Sequence, residues 1–387
     1  MVAKSQVHRQ GVAWFRSRIT EILEQTVRIC EIEAPTFEEQ ARATHVASVM
    51  QELPQGTTTI DECGNVVHVF QEPEPGQGSL LVTAHLDTVF PAGTDVRVRR
   101  EGECWYAPGI RDNSASVSMV IELARFLGEI GYGPGHGLAF VANVAEEGLG
   151  NLLGMKYLFD KGLASRWPVS AVLVLDGDLR NICYQGVTSR RLEVTISGDG
   201  GHSWYDYGRP SAVHALGRSI AQIDALRLPV KPRTTLNVGV VEGGVSVNSI
   251  AAQARMLIDM RSEAAETLAE VDKAVRGAIL RAMAGEQLHA AIEVVGERPG
   301  GSLPKDHPLV QALAAASAAL DVRVCPMWAS TDANVPLSKG IPAVCVGVAS
   351  GGSLHSLKEY LDVSSVLPGA RYALGALLAF SQWIESS

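Results

Sequence analysis

Four short apolar runs, each delivering a polar residue at its end, constrain this chain more than any other feature of its sequence. Leu80-Leu81-Val82-Thr83-Ala84 leads into His85, residues 138–145 into Glu146 and Glu147, and residues 171–175 into Asp176; residues 341–348 lead into a glycine-rich loop that closes at His355. Uninterrupted apolar segments of this length, separated by helical stretches, read as strands of a parallel or mixed sheet covered on both faces. Residues 12–30 carry helical spacing through Ile19, Ile22, Leu23, Val27 and Ile29, and a second helix is expected over 36–53, where Pro54 stops it. In open sheets of this kind ligands gather outside the carboxyl ends of the strands. His85, Glu146, Glu147 and Asp176 are therefore expected to converge although they are far apart in sequence.

Residues 187–297 follow a different rhythm. Residues 191–197 alternate as a half-exposed strand, a helix follows over 211–226, strands over 234–241 and 251–260, a helix over 264–284 and a last strand over 290–295. That β-α-β-β-α-β order is the ferredoxin-like pattern. A length of 387 residues suits two domains, so the expected organisation is a first domain over 1–186, an insert over 187–297, and a return to the first domain over 298–387 with a helix at 306–320. The net charge of −9 argues against a nucleic-acid partner, which selects a basic face. The six cysteines form no C-x-x-C pair and read as thiols of a reducing cytoplasm. Lys4, His8 and Arg9 precede Trp14 with no apolar signal-peptide core, and no run reads as a membrane span.

Several of these residue types carry chemistry in combination. In His85-Leu86-Asp87 the two polar side chains lie two apart on an extended segment and so face the same way; a carboxylate there can fix the imidazole tautomer for metal binding. Asp112 follows the Pro108-Gly109 turn and precedes a helix, where it serves equally well as an N-cap. Glu146 and Glu147 are adjacent carboxylates at the end of an apolar run, and they repel unless a cation lies between them. Asp176 before Gly177 fits turn chemistry too, and His355 is a loop histidine. Taken together, two histidines and four carboxylates without cysteine suit zinc, manganese or cobalt, with zinc the default.

The order of these motifs resembles the M20 metallopeptidase family, which includes glutamate carboxypeptidase, peptidase T and acetylornithine deacetylase relatives. The resemblance rests on Thr83-Ala84-His85-Leu86-Asp87-Thr88-Val89, Ala107-Pro108-Gly109-Ile110-Arg111-Asp112, Glu146-Glu147-Gly148, Asp176-Gly177 and Leu354-His355-Ser356, and runs from about residue 12 to 385. It implies an α/β fold of the zinc-exopeptidase kind, a mixed and mostly parallel sheet flanked by helices, with a ferredoxin-like lid or dimerisation domain inserted. It also implies two divalent ions: Asp112 bridging them, His85 and Asp176 completing one site, Glu147 and His355 the other, with Asp87 orienting His85 and Glu146 as general base. His202 in Gly200-Gly201-His202 looks like the lid histidine that reaches the substrate carbonyl across a homodimer. Asn248 and Arg261 match residues that hold the substrate. Two departures stand out. Asn113-Ser114-Ala115-Ser116 replaces the usual lysine and glycines, and Trp204, Tyr205 and Tyr207 replace smaller residues.

The implied reaction is cleavage of an amide bond in a small peptide by a metal-bridged water, Glu146 moving the proton. An N-acyl amino-acid deacylase on the same scaffold is the alternative. A non-catalytic peptide- or metabolite-binding protein would be expected to lack one of His85, Asp112, Glu146, Glu147, Asp176 or His355, and a structural dimer with merely acidic loops gives no return for Glu146 beside Glu147.

Overall fold

The computed structural model of the protein describes residues 2–319 and 324–386. The chain forms two compact units, one from Met1–Gly186 with Ser302–Ser387 and the other from Val187–Gly301. Each has its own sheet and its own core.

The sheet of the first unit runs, in spatial order, through Thr57–Ile60, Val66–Gln71, Gly137–Asn143, Ser79–His85, Val169–Leu175, Ala343–Val346 and Asn181–Gly186, with Cys325–Ala329 beside the last. The central pairs are parallel, whereas Val66–Gln71 and Asn181–Gly186 run antiparallel to their inner neighbours. Every residue of Ser79–His85 and of Gly137–Asn143 is buried. Alternation explains why both strands are apolar throughout. Leu80, Val82 and Ala84 face a cluster containing Phe15, Ile22, Leu123, Phe126 and Tyr372 on helices Val2–Cys30, Ala115–Glu129 and Val366–Ile384. Leu81 faces the opposite cluster with Val141, Val172, Leu158 and Val335.

Register then fixes where the strands end. His85 pairs with Asn143, and Thr83 pairs with both Val141 and Val174. The three strands therefore run out at nearly one level, and the polar residues that follow them share one edge of the sheet.

Some boundaries differ from those read in the sequence. The first helix starts at Val2 rather than near residue 12. Its first three turns offer few apolar residues; Val7 packs on the core, and Gly11 lies so close to Leu374 and Phe126 that a side chain there would collide with them. The 341–348 run holds a strand only over Ala343–Val346, because Gly347 lies against the main chain of Asp178 and leaves the ladder. The 306–320 helix is Pro308–Ala319, and residue 320 lies outside the described residues. Val363–Ile384 is long and apolar enough by composition to cross a membrane, which the sequence reading did not single out. Its helix is a core element here, with Ala370, Tyr372, Leu374, Leu377 and Phe380 fully buried.

The second unit is an antiparallel sheet in the order Thr234–Gly243, Gln253–Ser262, Thr188–Ser197, His289–Arg298. Helices Ala212–Asp224 and Ala265–Ala282 pack on it through Leu216, Val275 and Ile279 against Leu192, Val194, Met256 and Ile258. Strand burial alternates along Gln253–Ser262, as expected of a sheet with one covered face. The element order is the β-α-β-β-α-β of a ferredoxin-like unit.

Gly369 on the last helix lies against the main chain just past the strand Ala343–Val346: a Cβ there would lie 1.6 Å from the Val348 carbonyl oxygen. The obstacle is main chain, so it cannot rotate away. Gly369→Ala is expected to destabilise the first unit by about 1–3 kcal/mol, read as a lower urea midpoint. An unchanged midpoint would mean that the helix is free to shift away from Val348.

Candidate metal centre

The strand Ser79–His85 presents His85 at its buried end. Its Nδ1 lies 3.0 Å from the main-chain carbonyl of Asp87, and its Nε2 lies 3.2 Å from Asp112 Oδ1. With Nδ1–H donating to that carbonyl, Nε2 carries a bare lone pair aimed at a carboxylate oxygen. Two acceptors facing each other call for a cation between them.

Asp112 stands between two imidazoles. Its Oδ1 faces His85, while its Oδ2 lies 3.4 Å from His355 Nε2. His355 Nε2 is also 3.1 Å from Glu147 Oε1. Ligand atoms of His85, Asp112 and Glu147 all lie within 4.8 Å of one another. The capping alternative for Asp112 does not hold: helix Ala115–Glu129 is preceded by Ser114, with no side-chain cap, and Asp112 turns to the histidines instead. Asn113 stands where the resembled family has a basic residue, and its Nδ2 donates to the Leu175 carbonyl at 3.1 Å. That bond ties the Asp112 loop to the strand that ends at Asp176.

Asp87 does more than the sequence indicated. Its carboxylate is 3.5 Å from His85 Nδ1, farther than its own carbonyl. It accepts hydrogen bonds from the main-chain N–H groups of Glu146 and Glu147, both at 2.9 Å, and from the Thr36 hydroxyl at 2.9 Å. One buried carboxylate thus fixes the loop carrying both glutamates against the strand end carrying His85.

The field of the cluster favours positive charge. Hydrogen bonds to Asp112 and Glu147 raise the His355 pKa to about 10. Burial opposes charge on His85, yet Asp112 and Asp87 hold its pKa well above the ordinary imidazole value. Burial and the charge of Asp112 lift Asp176 to about 6. The donor set is imidazole nitrogen and carboxylate oxygen with no thiolate, which suits zinc, manganese or cobalt.

Four supporting residues escaped the sequence reading. Glu359 is fully buried, accepts the N–H groups of Arg111 and Asp112 at 3.0 Å each, and is raised to about 7 by burial. Arg42, buried within helix Gln40–Gln51, donates to the carbonyls of Cys30, Ile32 and Leu86. Glu39 accepts from the N–H of Ala145, just before Glu146. Asp332, raised by burial to about 7, accepts from Asn143 at 2.7 Å. Arg42 left a usable signal, since it shares the helical face of Ala43, Val46, Ala47 and Met50.

The other residues singled out lie on the second unit. The short strand Gly201–His202 pairs with Ser249–Ile250, and Ser203 N–H donates to the Asn248 carbonyl at 3.0 Å. His202 and Asn248 are therefore neighbours there. The His202 ring lies 4.8 Å from that of Tyr205, and Trp204, Tyr205 and Tyr207 are exposed rather than packed. Arg261 Nε donates to Asp259 on its own strand at 2.8 Å.

A model of peptidase family M20/M25/M40 matches residues 81–379. The chain is 26% identical to acetylornithine deacetylase of Proteus mirabilis (strain HI4320) over 324 residues, 78% of this chain and 79% of that protein. Its fold is similar to that of aminopeptidase PepT from Bacillus cereus ATCC 10987, with a TM-score of 0.76 at 21% identity over 93% of this chain and 98% of that one. It is also similar to Bacillus subtilis YXEP, described as a dinuclear metal binding peptidase, with a TM-score of 0.70 at 16% identity over 95% and 99% of the two chains.

Asp87→Asn replaces one of the two accepting oxygens with an NH2, which then faces one of the two main-chain N–H donors. The variant is expected to lose about 1–3 kcal/mol of stability, measured by urea unfolding. Wild-type stability would mean that water serves those N–H groups as well as the carboxylate does.

Proposed function

The chain belongs to peptidase family M20/M25/M40, and from that footing we propose that it is a dinuclear metal-dependent hydrolase that cleaves an amide bond in small peptides. The observation that carries this reading is Asp112 set between His85 and His355, with Glu147 at the same His355 nitrogen. His85, Asp112 and Asp176 would hold one divalent ion, and Asp112, Glu147 and His355 the other, zinc being the simplest choice for this donor set. When bound, such ions acidify water to near neutrality and polarise a carbonyl oxygen.

Glu146 is assigned as the general base. It is buried, follows the Asn143 strand end, and has its main chain fixed by Asp87. Glu146 takes a proton from the attacking water as the C–O bond forms, then passes it to the amine as the C–N bond breaks. Its neighbour Glu147 faces His355, so the two carboxylates divide the work. Asp87 positions both through their N–H groups.

Roles for His202, Asn248 and Arg261 follow from the family resemblance. His202 would donate to the developing oxyanion, an interaction worth about 3 kcal/mol for a well-placed donor. Asn248 and Arg261 would grip a carboxylate or a carbonyl of the substrate. The second unit would act as lid and as the contact of a homodimer. All six cysteines are free thiols, in keeping with a reducing cytoplasm. A second reading, an N-acyl amino-acid deacylase, is favoured by the likeness to acetylornithine deacetylase. Its chemistry is the same and only the acyl group differs.

Elemental analysis is expected to find about two zinc, manganese or cobalt ions per chain, with peptide hydrolysis lost on chelation and restored by metal. A chain that binds no divalent ion and hydrolyses nothing would leave the binding-protein reading in its place. Glu146→Gln should lower kcat by roughly 100-fold or more while metal content stays intact. Near-normal turnover in that variant removes the general-base assignment. His202→Ala should lower kcat by about 100-fold with a smaller change in KM; an equal loss through KM alone would make His202 a binding residue only. Di- and tripeptides assayed beside N-acetyl and N-succinyl amino acids separate peptidase from deacylase.

A further inference from the structure

Beside the candidate metal centre, within the first unit, is a cavity of about 370 Å³. Asp112, Asp176 and His355 contribute to its wall, and so does Arg111, the residue just before Asp112. Arg111 is only 5% exposed. Its main-chain N–H donates to Glu359. Its side-chain stem passes beneath Gly351, where an added Cβ would come within 2.9 Å of Arg111 Cδ. The Tyr360 carbonyl oxygen, 2.0 Å from such a Cβ, is what first requires glycine at 351, and the same glycine leaves room for the Arg111 stem.

Two of its guanidinium nitrogens, Nε and Nη1, are buried and neither has a hydrogen-bond partner. A desolvated cation with unfilled donors is costly unless an acceptor arrives. The nearby carboxylates are engaged elsewhere. Asp112 faces His85 and His355, and Asp178 accepts from Arg180 at 3.0 Å. Asp176 accepts from the N–H of Gly177 and belongs to the candidate ligand set. The remaining wall includes apolar surface from Met327, Ala329 and Leu354. Aliphatic walls with an unfilled guanidinium suit an anion carried on a short hydrocarbon arm.

We propose that Arg111 selects amide substrates that carry a carboxylate on a short aliphatic arm, such as a glutamyl-type side chain or a succinyl group. This inference rests on the hydrolase reading for its kinetics but has a binding test of its own. The metal-loaded enzyme is assayed on matched pairs: glycyl-glutamate against glycyl-glutamine, glutamyl-glycine against glutaminyl-glycine, and N-succinyl-alanine against N-acetyl-alanine. The anionic member of at least one pair should lead by roughly tenfold or more in kcat/KM. Arg111→Met should bring that ratio towards one, and Arg111→Lys should retain part of it. Calorimetry with glutarate and butyrate provides the second readout, with glutarate binding more tightly and the margin disappearing in Arg111→Met. Hydrolysis with ratios near one in the wild type overturns the inference and leaves the hydrolase standing. So does an Arg111→Met enzyme that loses both members of a pair equally, for Arg111 would then only balance the acidic cluster. If no probe is hydrolysed with any metal, the hydrolase reading fails, and the glutarate margin alone decides for or against Arg111. Should Arg111→Met not fold, the wild-type ratios and the Arg111→Lys enzyme decide in its place.

Discussion

Carboxylates gathered at the ends of buried strands cannot all be ionised unless positive charge joins them. That constraint organises the first unit. Asp112, Glu147 and Asp176 sit around two imidazoles, and Asp332 and Glu359 lie buried close behind. Burial lifts the last two to about 7, so the fold already limits how many negative charges it holds at once. What remains at the front is a set of lone pairs turned inward. Divalent ions satisfy such a set; protons on His85 and His355 satisfy it only in part.

The loops that bear these groups are held by main-chain hydrogen bonds as well as by the packing of Leu86, Ile110 and Val144. Asp87 fixes the N–H groups of Glu146 and Glu147, Glu39 that of Ala145, and Glu359 those of Arg111 and Asp112. Arg42 holds three carbonyls, one of them between His85 and Asp87. Each clamp is a buried polar side chain with several partners, which is why the geometry can be rigid on segments without regular structure.

The strand ends were legible because burial on both faces demands apolar residues throughout, so a polar residue after such a run stands out. His85, Glu146, Glu147 and Asp176 follow from that pattern alone. Asp112 was ambiguous, since an aspartate ahead of a helix has a common capping role, and only its orientation towards two histidines decides the matter. The clamps were illegible for a different reason. Glu39 and Glu359 act on main-chain N–H groups that any sequence supplies, so no side-chain pattern marks them. Asp87 was noticed for its proximity to His85, while its main contacts lie about 60 residues ahead, which local spacing cannot reveal. In the second unit, alternation gave the strands and their order. The ion pair of Arg261 with Asp259 follows from the same alternation, since residues two apart share a face.

The strand Ala343–Val346 lies between Val169–Leu175 and Asn181–Gly186, in the interior of the sheet. Its two neighbours are almost consecutive in the chain, yet it is synthesised more than 150 residues after them. While the chain emerges from a ribosome, Val169–Leu175 must wait with an open edge until that late segment arrives. Such distant pairing folds slowly and exposes unpaired strand to other chains meanwhile. The second unit, by contrast, is contiguous and has its core complete before the first unit can close. Assembly of the candidate centre is thus a late event in the life of each molecule, since His355 follows the strand that closes the sheet.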